Sequence, residues 1–179
     1  MRWSLKLARV AGIGVYVHWT FFLLLAWIAF AQMAGGESVI AVLTALAFIL
    51  ALFACVVLHE LGHALTARRF GCQTRDITLL PSGGVDRLER IPEDPIQEFW
   101  VAIAGPAVNV VIALLLFVIL LFVGQTYRFT ATTMVGGTFL VKVMWVNVAL
   151  VLFNLLPAFP MDGGRVLRAL LATQMPRVK

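Results

Sequence analysis

Charge is scarce in this chain. Of its 179 residues only 13% are charged, against 61% apolar, and the mean hydropathy is +0.96. A soluble domain carries about 25% charged residues, so an ordinary water-facing surface is excluded and the chain belongs in lipid. Cysteine is nearly absent as well. Cys55 and Cys72 are too few for a disulfide framework and have no metal or redox spacing. No basic start leads through a short apolar core to a small-residue cleavage site, so the first apolar run is expected to be a retained span. Internal repeats and low-complexity linkers are missing too. The expectation is one domain over residues 1–179, with no separate regulatory domain.

What is present is apolar length. A bilayer core about 30 Å thick takes roughly 20 helical residues, and four runs approach that: 17–34, 39–70, 97–124 and 135–156. Gly35, Gly36 and Gly71 suit helix ends, and Lys142, near the start of the fourth run, can snorkel to an interface. Pro157 and Pro160 halt that run, after which "GGRVLRALLATQM" reads as an amphipathic helix too short to span. The expected fold is an all-α polytopic membrane protein of about four transmembrane helices plus this short C-terminal helix. "LKLARVAGIGVYVHW" and "DITLLPSGGVDRL" alternate around turn residues and predict small β-hairpins. Open strand edges do not survive in hydrocarbon, so these hairpins belong at the membrane face.

Lys and Arg set the orientation. Arg2, Lys6 and Arg9 precede the first run; Arg68, Arg69, Arg75, Arg87 and Arg90 fill the second loop; Arg165, Arg168, Arg177 and Lys179 follow the fourth run. The first loop has no basic residue and the third only Arg128. By the positive-inside rule the N-terminus, second loop and C-terminus are cytoplasmic, and the cell membrane is the expected location. The net charge of +5 follows from basic loops beside anionic lipid and implies no nucleic-acid partner.

"CVVLHELGH", residues 55–63, ends the second run at its cytoplasmic side. On a helix His59 and His63 project from one face, which is bidentate metal geometry. Glu60, beside them, can take a proton from metal-activated water, the mechanical content of an H-E-x-x-H motif. Chance placement of interfacial polar residues is the bland alternative. An ionisable group deep in a membrane costs about 2.5 to 3.5 kcal/mol, so three together call for the compensation that a metal and a polar cavity supply. A hydrolytic zinc centre wants a third protein ligand. Asp162 in "NLLPAFPMDGGR" returns to the same membrane face, where it can also start a helix.

Other polar residues carry less. Cys55 extends the histidine stripe by a turn but reads as a small buried apolar residue. His18 reads as an interface anchor, and Asn109 and Asn147 as interhelical hydrogen-bonding groups. Asn154, eight residues before Asp162, is a candidate to hold substrate backbone or polarise a carbonyl. The alternating stretch at Gly83, Gly84 and Val85 is a candidate strand edge on which an extended substrate could pair.

Four ordered motifs, "HELGH", "LLPSGGV", "AGPAVN" and "NLLPAFPMDGGR", together resemble the site-2 protease family of intramembrane zinc metalloproteases, from about residue 10 to residue 172. The resemblance implies one zinc ion at His59, His63 and Asp162, with Glu60 as catalytic acid and base. It implies cleavage of transmembrane or membrane-anchored proteins inside the bilayer, commonly in regulated signalling. Many members continue into further helices or a regulatory module, whereas this sequence stops at Lys179. The main alternative is a non-catalytic protein of the same fold that binds a membrane partner. An intact Glu60, and a site without a fourth protein ligand, argue against it. A metal transporter would need a chain of ionisable residues across the membrane, which the sequence lacks.

Overall fold

The computed structural model describes residues 4–72, 74–80, 83–88, 94–123, 137–158 and 160–174. Its elements in chain order are β1 (Ser4–Val10), β2 (Ile13–His18), α1 (Trp19–Ala34), α2 (Val39–Arg69), β3 (Thr74–Leu80), β4 (Gly83–Leu88), α3 (Pro95–Phe122), α4 (Phe139–Asn154) and α5 (Asp162–Gln174). The protein is mostly helical. Two helices, α2 and α3, are long and apolar enough to cross a membrane, and α1 and α4 are apolar but have 16 residues each. Only 17% and 22% of the most apolar windows of α2 and α3 are buried, which is not how the core helix of a soluble protein packs. Trp27, Phe30, Ile40, Leu114 and Leu115 are among many large apolar side chains left facing outward, a surface suited to lipid.

Local chemistry explains the helix limits. Val17 and His18, expected inside the first span, belong instead to β2, and the His18 ring caps α1 by accepting from Thr20 N. Ser38 Oγ accepts from Ala41 N at the start of α2. The N-cap Asp94 and Pro95 in the first turn open α3 two residues earlier than hydropathy indicates. At the other end of α2, Gly71 takes φ +78, Gly71 N bonds Arg68 O and Cys72 N bonds Ala67 O, the paired bonds of a Schellman stop. The fourth apolar run becomes a helix from Phe139 to Asn154; its expected first residues, 135 and 136, lie outside the described ones.

Both expected hairpins form, and they join. β1 pairs antiparallel with β2, β3 with β4, and a parallel β2–β3 ladder (Val15↔Ile77, Val17↔Leu79) makes one four-stranded sheet in the order β1-β2-β3-β4. Helices α1 and α2 run out and back between β2 and β3, which brings the two strands side by side. The inward alternation of Ile13, Val15 and Val17 with Ile77 and Leu79 seats the sheet on α2. There Ile13 and Ile77 pack on Leu61 and Ala64, and Val17 and Leu79 pack with Phe21 and Phe53. Phe21 and Phe53 meet edge to face at 4.5 Å.

The opposite side of α2 meets α3. A Cβ at Gly62 would stand 2.8 Å from both the Ala104 carbonyl oxygen and Val108 Cγ2, so the two backbones are nearly in contact. α4 completes the bundle on α3 through Ala113, Leu120, Val141 and Met144. Gly62→Val is expected to force α2 and α3 apart and to lower stability by about 1–3 kcal/mol. Thermal unfolding of the detergent-solubilised protein measures this, and an unchanged midpoint contradicts the tight approach.

Candidate metal centre

His59 and His63 stand one helical turn apart on α2, their rings edge to face with centroids 4.7 Å apart. Their Nε2 atoms are 3.1 Å from each other. Asp162, the first residue of α5, arrives from 99 positions beyond His63 and sets Oδ2 3.1 Å from His59 Nε2 and 3.2 Å from His63 Nε2. All three are buried, at 6%, 2% and 8% relative exposure for His59, His63 and Asp162. Around a tetrahedral ion with bonds of about 2.0–2.1 Å, ligand atoms lie about 3.3 Å apart. The donor triangle therefore has the dimensions that a zinc-sized ion requires, and these are the residues that could hold one.

The protonation pattern fits as well. His63 Nδ1 donates to the Val101 carbonyl at 2.7 Å. A carbonyl only accepts, so the proton sits on Nδ1 and Nε2 presents its lone pair to the centre. When the imidazoles carry protons on Nε2 in place of a metal, burial works to raise the Asp162 carboxyl, but hydrogen bonding and charge from the two rings outweigh it and hold the group below the usual carboxylate range. Two imidazoles and a carboxylate aimed at one point from a low-dielectric interior are the donor set of a divalent metal centre.

Each donor is held in place. Gly105 leaves room on α3: a Cβ there would collide with the His63 ring and come within 2.7 Å of His59 Nε2. Gly163 lets α5 press against the end of α4, because a Cβ would meet the Leu155 and Leu156 carbonyl oxygens. The buried Glu98, in the first turn of α3, accepts from Arg168 Nε at 3.1 Å and also from Arg168 Nη2. This pair ties α5, and with it Asp162, to the N-terminus of α3. Helix spacing and charge topology do not reveal Gly105, Glu98 or the Val101 carbonyl. The one signal was "AGPAVN", where a glycine mid-helix announces a close neighbour.

The remaining sequence candidates separate. Glu60 is half-buried on α2, next to His59 in the chain. Asn154 is the half-buried last residue of α4 and makes no hydrogen bond to the three donors among the described residues. Gly83, Gly84 and Val85 lie on β4, an outer strand whose other side pairs with β3 at Leu80, Leu79 and Thr78. Cys55 stays out of the donor group; its sulfur accepts from Asn147 Nδ2 at 3.3 Å. Asn147 thus links α4 to α2 as an interhelical amide should.

Two outcomes follow for metal content, read by metal analysis of the purified protein. Gly105→Ala, a change that favours the helix itself by about 1 kcal/mol, is expected to lose the metal because the new methyl group occupies the histidines' space. Glu98→Ala is expected to leave α2 intact and weaken metal retention about 10-fold or more through Asp162. Full metal content in both variants contradicts this account of the support.

Comparison with known proteins gives the same direction. The model of Peptidase family M50 matches residues 47–139 and 130–179. A zinc metalloprotease of Methanocaldococcus jannaschii is 40% identical over 179 residues, covering 100% of this chain and 49% of the relative. Stage IV sporulation protein FB of Bacillus subtilis is 32% identical over 129 residues, 72% of this chain and 41% of that protein. The chain thus spans about half the length of the curated relatives it matches. The solved site-2 protease from Methanocaldococcus jannaschii superposes with a TM-score of 0.67 at 36% identity, covering 96% of this chain and 73% of that one. With about three-quarters of the H-E-x-x-H helix, the α3 glycine and the Asp162 turn all inside the matched residues, the chain belongs to peptidase family M50, the site-2 protease type of zinc metalloprotease.

Proposed function

We propose that this chain is the catalytic core of an intramembrane zinc metalloprotease that hydrolyses peptide bonds of transmembrane or membrane-anchored protein substrates. The observation that carries the reading is the meeting of His59, His63 and Asp162 within 3.2 Å in a bundle clothed with outward apolar side chains. The cofactor is zinc, one ion per chain, held by those three residues. Bound there, it supplies Lewis-acid activation of water and of the scissile carbonyl.

Peptide hydrolysis takes one proton from the attacking water and delivers one to the leaving nitrogen, and Glu60 does both. Its place beside His59 puts the carboxylate in the same turn as the donor group, as a general base and then acid requires. His63, with its Nδ1 proton committed to Val101, and Asp162, held as a carboxylate, stay fixed while Glu60 cycles. Asn154 offers an amide donor near the end of α4 for the oxygen that gains negative charge. A transmembrane helix hides its carbonyls in its own hydrogen bonds, so the scissile segment must open and be held extended. The outer strand β4, at Gly83, Gly84 and Val85, provides main-chain partners for that.

In this reading α1 to α4 are four spans of a single domain, and the N-terminus, the sheet and the site face the cytoplasm from the cell membrane. The Arg and Lys distribution supports that orientation. The partners are the protein substrate and the bilayer, with no nucleic acid.

Glu60→Gln is expected to keep zinc and lower cleavage of a membrane-anchored reporter by about 100-fold or more. Zinc content and cleavage are measured on the same preparations. Retained cleavage removes Glu60 from the mechanism, and a zinc-loaded wild type that cleaves no candidate substrate favours the membrane-binding alternative. Val85→Pro, which places a ring where the strand would offer a hydrogen bond, is expected to reduce cleavage with zinc content unchanged. Equal cleavage shows that the edge is not used.

A further inference from the structure

Four buried polar atoms are without a partner among the described residues, one on a ring of the donor triangle, His59 Nδ1, and three on the asparagines of the neighbouring helices, Asn109 Oδ1, Asn109 Nδ2 and Asn147 Oδ1. Asn109 and Asn147 are fully buried, at 0% exposure. Helices α2 and α3 are antiparallel, and their register is read from two contacts. His63 meets Val101, and His59 lies against Gly105. Continuing by one turn on each helix brings Asn109 level with Cys55, which already binds Asn147 of α4. Side chains of a helix lean toward its N-terminus, so Asn109 leans from its own level toward Gly105 and hence toward His59.

The four atoms also match in kind. When His59 turns the Nε2 lone pair to a metal, Nδ1 carries a proton and needs an acceptor. Asn109 Oδ1 is an acceptor in need of a donor, its Nδ2 a donor in need of an acceptor, and Asn147 Oδ1 an acceptor in need of a donor. Asn147 Nδ2 already donates to Cys55 Sγ and to the Val143 carbonyl. One donor and one acceptor pair off at each step, so that each of the four atoms gains a partner. Buried polar groups in native proteins are satisfied directly or by ordered water.

We infer that Asn109 is a positioning residue of the metal centre: its Oδ1 accepts the His59 Nδ1 proton, directly or through one ordered water, while its Nδ2 is anchored on Asn147 Oδ1. His63 is oriented by a backbone carbonyl of α3 and His59 by a side chain of the same helix, eight residues further on. The inference rests on His59 being a metal ligand, as proposed above.

The test uses the full chain in detergent, with zinc affinity measured by chelator competition and cobalt substituted for its ligand-field spectrum. Thermal unfolding of the metal-free protein is recorded in parallel. Asn109→Leu, close in size but without an acceptor, is expected to bind zinc about 10- to 100-fold more weakly and to shift the cobalt bands. Asn109→Asp keeps the acceptor and is expected to restore zinc affinity to near the wild-type value. Wild-type affinity in Asn109→Leu, or an equal loss in Asn109→Leu and Asn109→Asp, overturns the inference. His59→Ala separates the two levels: if it binds zinc as the wild type does, the metal assignment itself fails. If it loses zinc while Asn109→Leu does not, only the role of Asn109 fails.

Discussion

A side chain of any size at position 62 would run into the Ala104 carbonyl, and one at position 105 would run into the His63 ring. Two glycines on facing helices therefore let α2 and α3 approach backbone to backbone at the level of the histidines. In lipid, helices gain no hydrophobic drive by associating, and close packing at small residues takes its place. The same approach brings the Val101 carbonyl within 2.7 Å of His63 Nδ1 and so orients the ring. Packing and chemistry share one contact, and a change made for either reason disturbs both.

Asp162 reaches the histidines by a different route. It is carried by an amphipathic helix, α5, that begins where the prolines stop α4. Gly163 allows that beginning to lie on the Leu155 and Leu156 carbonyls, and the Glu98–Arg168 pair fastens the helix to α3. Glu98 is buried while Arg168 is about half exposed, so the pair sits at the edge of the helix bundle. A carboxylate near the first turn of α3 is also favoured by the helix dipole. The third donor thus depends on an ion pair at the edge of the bundle, whereas the first two depend on helix packing.

How much of this was legible in the sequence depended on the range of the interaction. The stripe of His59 and His63 is local, set by 3.6 residues per turn, and the arrival of Asp162 could be placed by counting charged loops. The hairpins were visible as alternation around glycine. Their union was not, because the β2–β3 ladder joins residues about 60 positions apart and no local pattern encodes it. Glu98 and Arg168, 70 positions apart, look like ordinary interfacial charges until the fold pairs them. Val101 was invisible for another reason: it acts through its carbonyl, which every residue possesses. The start of α1 was misplaced because Val17 is as apolar as a span requires, yet its inward position in β2 serves the sheet.

Along α2 polarity rises in steps toward one end. No ionisable side chain separates Val39 from Cys55; then come the layer of Cys55, Asn147 and Asn109, the donor triangle, and finally Arg68 and Arg69. Successive layers on α2 lie about 6 Å apart, so each polar layer is the neighbour of the next and none stands alone in hydrocarbon. That ordering lowers the cost of burying each group, since a partially polar neighbour replaces lipid on one side. It also makes the two ends of the bundle unequal. On α2 the polar layers lead to the donor triangle from the arginine end, whereas Thr44 is the one polar side chain between Val39 and Cys55, so in the proposed protease water and protons are supplied from the side on which the sheet and α5 lie.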